Sequence, residues 1–277
     1  DSQRAFVKSV AEAWPAFLAA PETLVLETQI DGDAYIDFEG IEDDLRIAFD
    51  AMQPRLALVP TRADEMLPVT FLTQALGPEA ASMSTDDRKR VGIALVTGNG
   101  APRNVEGGFE LLNPLARDGD SEAAAVMSEA LELRAPEDAY RWALLAGRAG
   151  ETGATARLDR LERGLSFQRI LELQNDVSGN DTHPSSALDS IGLIREQAAQ
   201  RLSGRGQARS YEIAAMWAML AKAAGDPEAA DILADIDERV RLWGPAAQGP
   251  WSVAEGKASG LATEVWISQN LPDRYSK

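Results

Sequence analysis

The stretch Gly98-Asn99-Gly100-Ala101-Pro102-Arg103-Asn104 returns 106 residues later as Gly204-Arg205-Gly206-Gln207-Ala208-Arg209-Ser210. The same register continues from Gly108 to Ala214 and from Gly119 to Gly225. Small or capping residues recurring at one unbroken offset are the mark of an internal repeat. Each position has a role in a helix-turn-helix unit. Gly98 and Gly204 end a first helix where the chain needs positive φ. Asn104 and Ser210 supply the side-chain oxygen that accepts from the orphan amides of the next helix. Gly108 and Ala214 are small where the two helices approach. Gly119 and Gly225 close the second helix, and Asp120-Ser121 or Asp226-Pro227 opens another.

A further copy keeps only the second helix. Ala139, Trp142, Ala146 and Gly150 have the spacing of Ala214, Trp217, Ala221 and Gly225, and Gly108, Leu111, Leu115 and Gly119 show it again. Gly119 and Gly150 lie 31 residues apart, Gly150 and Gly225 lie 75 apart, so one degenerate unit is expected between them. Residues 151–173 have a helical pattern, followed by a polar Gly- and Pro-containing insertion near 175–187. An aromatic residue at one repeat position, as with Trp142 and Trp217, reads as core between stacked helices.

These residues resemble the Sel1-like repeat family, a relative of the tetratricopeptide repeats. The likeness rests on Val91-Gly92, on the loop from Gly98 to Asn104, and on Ala214-Ala215-Met216-Trp217 running to Ala221-Lys222-Ala223-Ala224-Gly225-Asp226. The last stretch is similar to the family's helix ending A-x-x-W-x-x-x-A-A-x-x-G. Asn104 and Ser210 replace the usual aspartate, the copy at 122–150 has a shortened turn, and residues 1–87 match nothing in the pattern. The resemblance covers residues 88–242 and implies an all-α, right-handed solenoid of antiparallel helix pairs. A smaller helical region at 1–87 precedes it, and residues 243–277, with Trp243, Trp251 and Trp266, form a C-terminal cap.

Outside the repeats, Phe6, Val7, Val10, Ala13, Trp14, Phe17 and Leu18 space as one face of a helix over 4–19 that stops before Pro21. Alternation at Leu24, Leu26, Thr28 and Ile30, and again at Ala34, Ile36 and Phe38, predicts a β-hairpin over 24–38 with a three-residue loop, the register that keeps the apolar groups on one side. From Ile41 the pattern is helical again, and Pro54, Pro60 and Pro68 break residues 50–80 into short pieces.

With 27 basic against 44 acidic residues, the formal charge is −17. No basic face stands out to displace counterions from nucleic acid, so that partner is not expected. No apolar run reaches the ~20 residues of a transmembrane helix, and the chain has no cysteine for a disulfide, thiolate metal site or cysteine nucleophile. Gly92 to Gly100 imitates the opening of a dinucleotide fold, but Pro102 and Asn104 stand where later glycines belong. Asp31, Asp33, Asp37, Glu39 and Glu42 fall at calcium-loop positions, yet Ile36 occupies the sixth place, where glycine makes the sharp turn. His183, the only histidine, sits in the insertion beside Pro184, and no Gly-x-Ser-x-Gly elbow accompanies it. No cofactor or metal is expected.

The function expected is therefore a non-enzymatic scaffold for another protein. The resemblance implies an exported bacterial adaptor or regulator, its partner a subunit of an envelope complex, since Sel1-like proteins often serve there. The start at Asp1 reads either as the product of a removed leader, the preferred reading and one that gives a periplasmic location, or as an arbitrary start; the missing cysteines suit a periplasm and a cytosol equally. Solenoids line their concave face with the first helix of each pair, here about 88–97, 122–134 and 188–203. That face offers Glu122, Glu129, Glu132, Arg195 and Arg201, and a basic patch on the partner would be steered to so acidic a chain. Trp243, Trp251 and Trp266 are a second candidate contact, because tryptophan is enriched in binding hot spots. The competing expectation is a cell-wall hydrolase working through acidic residues, for which no particular carboxylate pair stands out.

Overall fold

The computed structural model describes residues 2–19, 24–28, 50–57, 66–179 and 185–275. These are mostly helical, with one two-stranded antiparallel sheet. The chain divides into two compact units, Asp1–Met66 and Leu67–Lys277. In the first, helix α1 (Ser2–Ala19) carries Pro15 inside it. Strand β1 (Val25–Glu27) pairs with β2 (Arg55–Ala57), Leu26 opposite Leu56. The Ser9 hydroxyl donates to the Phe6 carbonyl at 2.7 Å and accepts from Leu56 N–H at 2.9 Å, tying α1 to β2. This buries Ser9 and Ala13, while Val7, Trp14 and Leu18 from the face expected to be covered are exposed. The first arm of the expected hairpin is thus a strand; its second arm at 34–38 lies outside the described residues, as do the acidic loop at 31–42, the helix expected from Ile41, and His183. The strand at Arg55–Ala57 falls in the stretch that the prolines were expected to break up.

The second unit begins with α2 (Val69–Ala75) and a 3-10 turn at Ala80–Ser82. Then come α3 (Thr85–Thr97), α4 (Val105–Arg117), α5 (Ser121–Leu131), α6 (Pro136–Arg148), α7 (Ala154–Glu162) and α8 (Phe167–Ser178). After a second 3-10 turn (Ser185–Leu188) follow α9 (Ile191–Ser203), α10 (Tyr211–Ala223), α11 (Ala229–Leu242), α12 (Pro245–Ser268) and α13 (Leu271–Tyr275). At the start of this unit, Leu67 N–H donates to Gly100 O at 2.9 Å. Leu67, Ala75 and Met83 also share a core with Val91, Leu95 and Leu111. Helix α8 runs on to Ser178, whose buried hydroxyl donates to Gln174 O, so the first residues of the expected insertion are helical.

Turn chemistry shows why the helices stop where they do. Gly98 and Gly204 are left-handed C-caps with φ of 84° and 75°. Asn104 N–H then donates to Leu95 O at 2.8 Å, and Ser210 N–H to Arg201 O at 2.9 Å, the same bond 106 residues on. Asn104 and Ser210 cap the next helices by accepting from Gly107 and Ile213 N–H. Gly119, Gly150 and Gly225 all have positive φ. Each is followed by an amide that reaches back five residues: Asp120 to Leu115 O at 2.9 Å, Glu151 to Ala146 O and Asp226 to Ala221 O at 3.0 Å. Helices α3 and α4 run antiparallel, since a Cβ on Gly92 would meet Leu112 while one on Gly108 would meet Val96 Cγ2 at 2.6 Å. Gly108 is therefore required by close approach. Gly92 to Thr97 lies inside α3, so the stretch that imitates a dinucleotide turn is helix.

Candidate functional site

The residues expected to meet a partner are, for the most part, engaged within the chain. Lys89 binds Asp120 at 3.0 Å and Glu122 at 3.2 Å. Arg157 reaches Glu129 at 3.5 Å and also donates to Ala125 O at 2.6 Å. Arg160 holds Glu132 with two bonds of 2.7 and 2.8 Å, and that bonding keeps the Glu132 carboxyl below its ordinary pKa. Arg195 pairs with Asp226 at 3.4 Å and with Glu228 at 2.9 Å. Contacts of this kind join residues separated by 28 (Glu132 and Arg160), 30 (Ser121 and Glu151), 32 (Glu137 and Arg169) and 31 (Arg195 and Asp226) positions. An ion pair between two helices helps fix how they sit together, even where exposure limits its worth to about 0–1 kcal/mol.

Arg201 is buried, with Nη1 donating to Ala208 O at 3.2 Å, so the expectation that it faces a partner is corrected: the turn after α9 folds over it. Glu122 and Glu129 keep exposed carboxylates despite their ion pairs. Trp243 packs against Phe167 with ring centroids 5.4 Å apart, and Trp251 meets the same ring edge-on at 6.4 Å. Trp251 is buried and Trp266 half-buried against the same core. Trp217 is buried there too, and Trp142 is half-buried against the core of α4 and α5.

Sequence reasoning missed a buried polar cluster in the second unit. The Glu162 carboxylate, at the end of α7, accepts from the phenols of Tyr140 and Tyr211 at 2.6 Å each and from Arg209 Nη1 at 3.0 Å. Gln174 donates to the Tyr140 oxygen at 2.9 Å and accepts from Tyr211 N–H at 2.9 Å. Arg209 also donates to Asp159 at 2.7 Å, and Arg239 reaches the same oxygen at 3.2 Å. Burial pushes both phenols up, and the Glu162 charge beside them adds to it, so both stay protonated donors. Burial works against the Arg209 charge, but Glu162 and Asp159 outweigh it and hold the guanidinium charged. Six segments meet here: α6, α7, α8, α10, α11 and the turn before Ser210. Glu162, Tyr140, Tyr211, Gln174 and Arg209 are all nearly inaccessible and, Arg209 Nε apart, bond one another, so this cluster specifies packing. One signal could have found it: Ala154, Leu158 and Leu161 form the buried stripe of α7, and Glu162 continues it at i+4 from Leu158.

The described residues also line open grooves. A groove of 810 Å³ runs along the start of α4, lined among others by Arg103, Glu106, Phe109, Glu110 and Arg134. A second, of 510 Å³, lies between α10, α11 and α12, with Met219, Leu233 and Trp251 as its apolar lining and Lys222, Asp237 and Glu255 as its charged lining. Among the described residues, no group of three or more His, Asp or Glu is placed to hold a metal ion, and no helix is long and apolar enough to cross a membrane. No protein-family model matches the chain, and no curated protein matches it.

Proposed function

We propose that this chain is a non-enzymatic scaffold, an α-solenoid of Sel1-like repeats over residues 88–242 that holds a protein partner. The observation that carries the reading is the recurrence of the same backbone bonds. The pair at Asn104 and Ser210 repeats one turn design along the chain, and the trio at Asp120, Glu151 and Asp226 repeats a second. Repeats of that kind bury a continuous core only by stacking, and stacking produces extended faces suited to another polypeptide. The ion pairs between residues 28, 32 and 31 positions apart support the same arrangement. The deepest titratable groups, around Glu162, are spent on one another in the interior, which suits a framework.

By its resemblance the scaffold belongs in a bacterial envelope, in the periplasm, beside a membrane-complex subunit that offers a basic patch. The test is capture with the tagged full chain from an envelope extract, identification of the partner, and re-formation of the complex from two purified proteins. A stoichiometric complex that weakens as salt is raised supports the proposal. Turnover of peptidoglycan fragments, abolished by a single carboxylate substitution, overturns it in favour of a hydrolase.

A further inference from the structure

The groove between α10, α11 and α12 combines three features that one kind of ligand would satisfy together. Its apolar lining, Met219, Leu233 and Trp251, offers burial to a side chain in a space of 510 Å³. Its lining also carries Asp237, Glu255 and Lys222, two acids to one base. Among the described residues none of these three charges enters an ion pair, whereas Asp120, Glu132, Glu137 and Asp226 are held by arginine or lysine. The third feature is Trp251 itself. It is only 6% exposed, yet its indole Nε1 is buried with no hydrogen-bond partner. A buried donor left unpaired costs about 1–3 kcal/mol, and an incoming acceptor would remove that penalty.

We propose that this groove binds a short peptide segment of the partner in which a bulky apolar residue is flanked by basic ones. The apolar side chain enters between Met219 and Leu233, the cations meet Asp237 and Glu255, and a backbone carbonyl of the segment accepts from the Trp251 indole after a small side-chain displacement. A peptide supplies all three at once, because every residue brings a carbonyl acceptor. The net charge of −17 favours the same basic partner at longer range. The inference rests on the scaffold reading for its occupant, and on the groove's own geometry for its place.

The probe is the blocked peptide acetyl-Ala-Lys-Leu-Lys-Ala-amide, titrated into the ¹⁵N-labelled full chain, with acetyl-Ala-Glu-Leu-Glu-Ala-amide as its control. Trp251→Phe assigns the Trp251 indole resonance. The expected result is saturable movement of that resonance with a Kd of about 1 mM or tighter, absent with the acidic peptide. The double variant Asp237→Asn/Glu255→Gln, which changes only exposed groups, should weaken binding about tenfold. No saturable movement, equal response to both peptides, or unchanged affinity in the double variant each overturns the groove. If the re-formed partner complex survives in any of those cases, the groove alone has failed and the scaffold stands. If the basic peptide binds as expected but no stoichiometric complex forms, the groove stands and the scaffold reading fails.

Discussion

Glu162 is an acid on an apolar stripe, and the structure shows what an acid needs in order to sit there. Its two oxygens take two phenols and a guanidinium, so the carboxylate is buried with its partners already in place. Removing one member leaves Arg209 charged in the interior. Glu162→Leu should therefore cost about 3–5 kcal/mol, measured by denaturant unfolding, whereas the pair Glu162→Leu/Arg209→Met should cost clearly less than the sum of the single changes. Equal and additive losses would contradict the network. Asp159 adds a pH dependence. Burial raises its carboxyl pKa, but Arg209 and Arg239 outweigh burial and hold it below the ordinary value. The folded chain then binds fewer protons than the unfolded one near pH 4. The stability Asp159 contributes is complete above the unfolded pKa of about 3.9 and is lost as pH falls through the lower folded value. Asp159→Asn should show a smaller fall in thermal midpoint than the parent between pH 5 and 3 (on the order of the carboxylate pKa range), and parallel curves would contradict the assignment.

At the scale of the element, what was legible in the sequence was the turns. A left-handed C-cap asks for glycine, and an N-cap asks for a side-chain oxygen; both demands are local, so Gly98, Asn104, Gly204 and Ser210 announced themselves. The strand at Arg55–Ala57 did not, because three residues between prolines carry no readable alternation. The Glu162 cluster stayed hidden because its partners lie 22, 47 and 49 residues away, in a chain with 44 acids to choose from. The groove at Trp251 needs three helices to exist, so the tryptophans alone pointed to a cap or a contact and not to a groove. Close approach yields a sharper prediction. A Cβ at Gly108 would lie 2.6 Å from Val96 Cγ2 and 2.8 Å from Gly92 O, so Gly108→Ala should destabilise the α3/α4 pair by about 1–3 kcal/mol. The equivalent Ala214 is wholly buried, and Ala214→Leu should cost a similar amount. An unchanged unfolding midpoint in either variant would contradict the packing.

On the scale of the second unit, α12 and α13 close the core that α6 to α11 build. Ala254, Ala258, Ala262 and Leu271 join the same buried cluster as Trp217 and Tyr211. Trp251 sits in that seam and also lines the groove beside it. Trp251→Ala should therefore lower stability by about 3–5 kcal/mol, as truncation of a large buried aromatic does. A fully stable variant would mean that the ring contributes nothing to the cap. The scaffold reading stands on the recurrence of two turn designs, and amide hydrogen exchange followed by NMR tests that recurrence most directly. The account predicts that the amides of Asn104 and Ser210 are protected to a similar degree, and likewise those of Asp120, Glu151 and Asp226, because each donates to the carbonyl at the matching place in its own helix pair. Free exchange at these positions, at the rate of an open loop, would contradict the repeat and with it the scaffold.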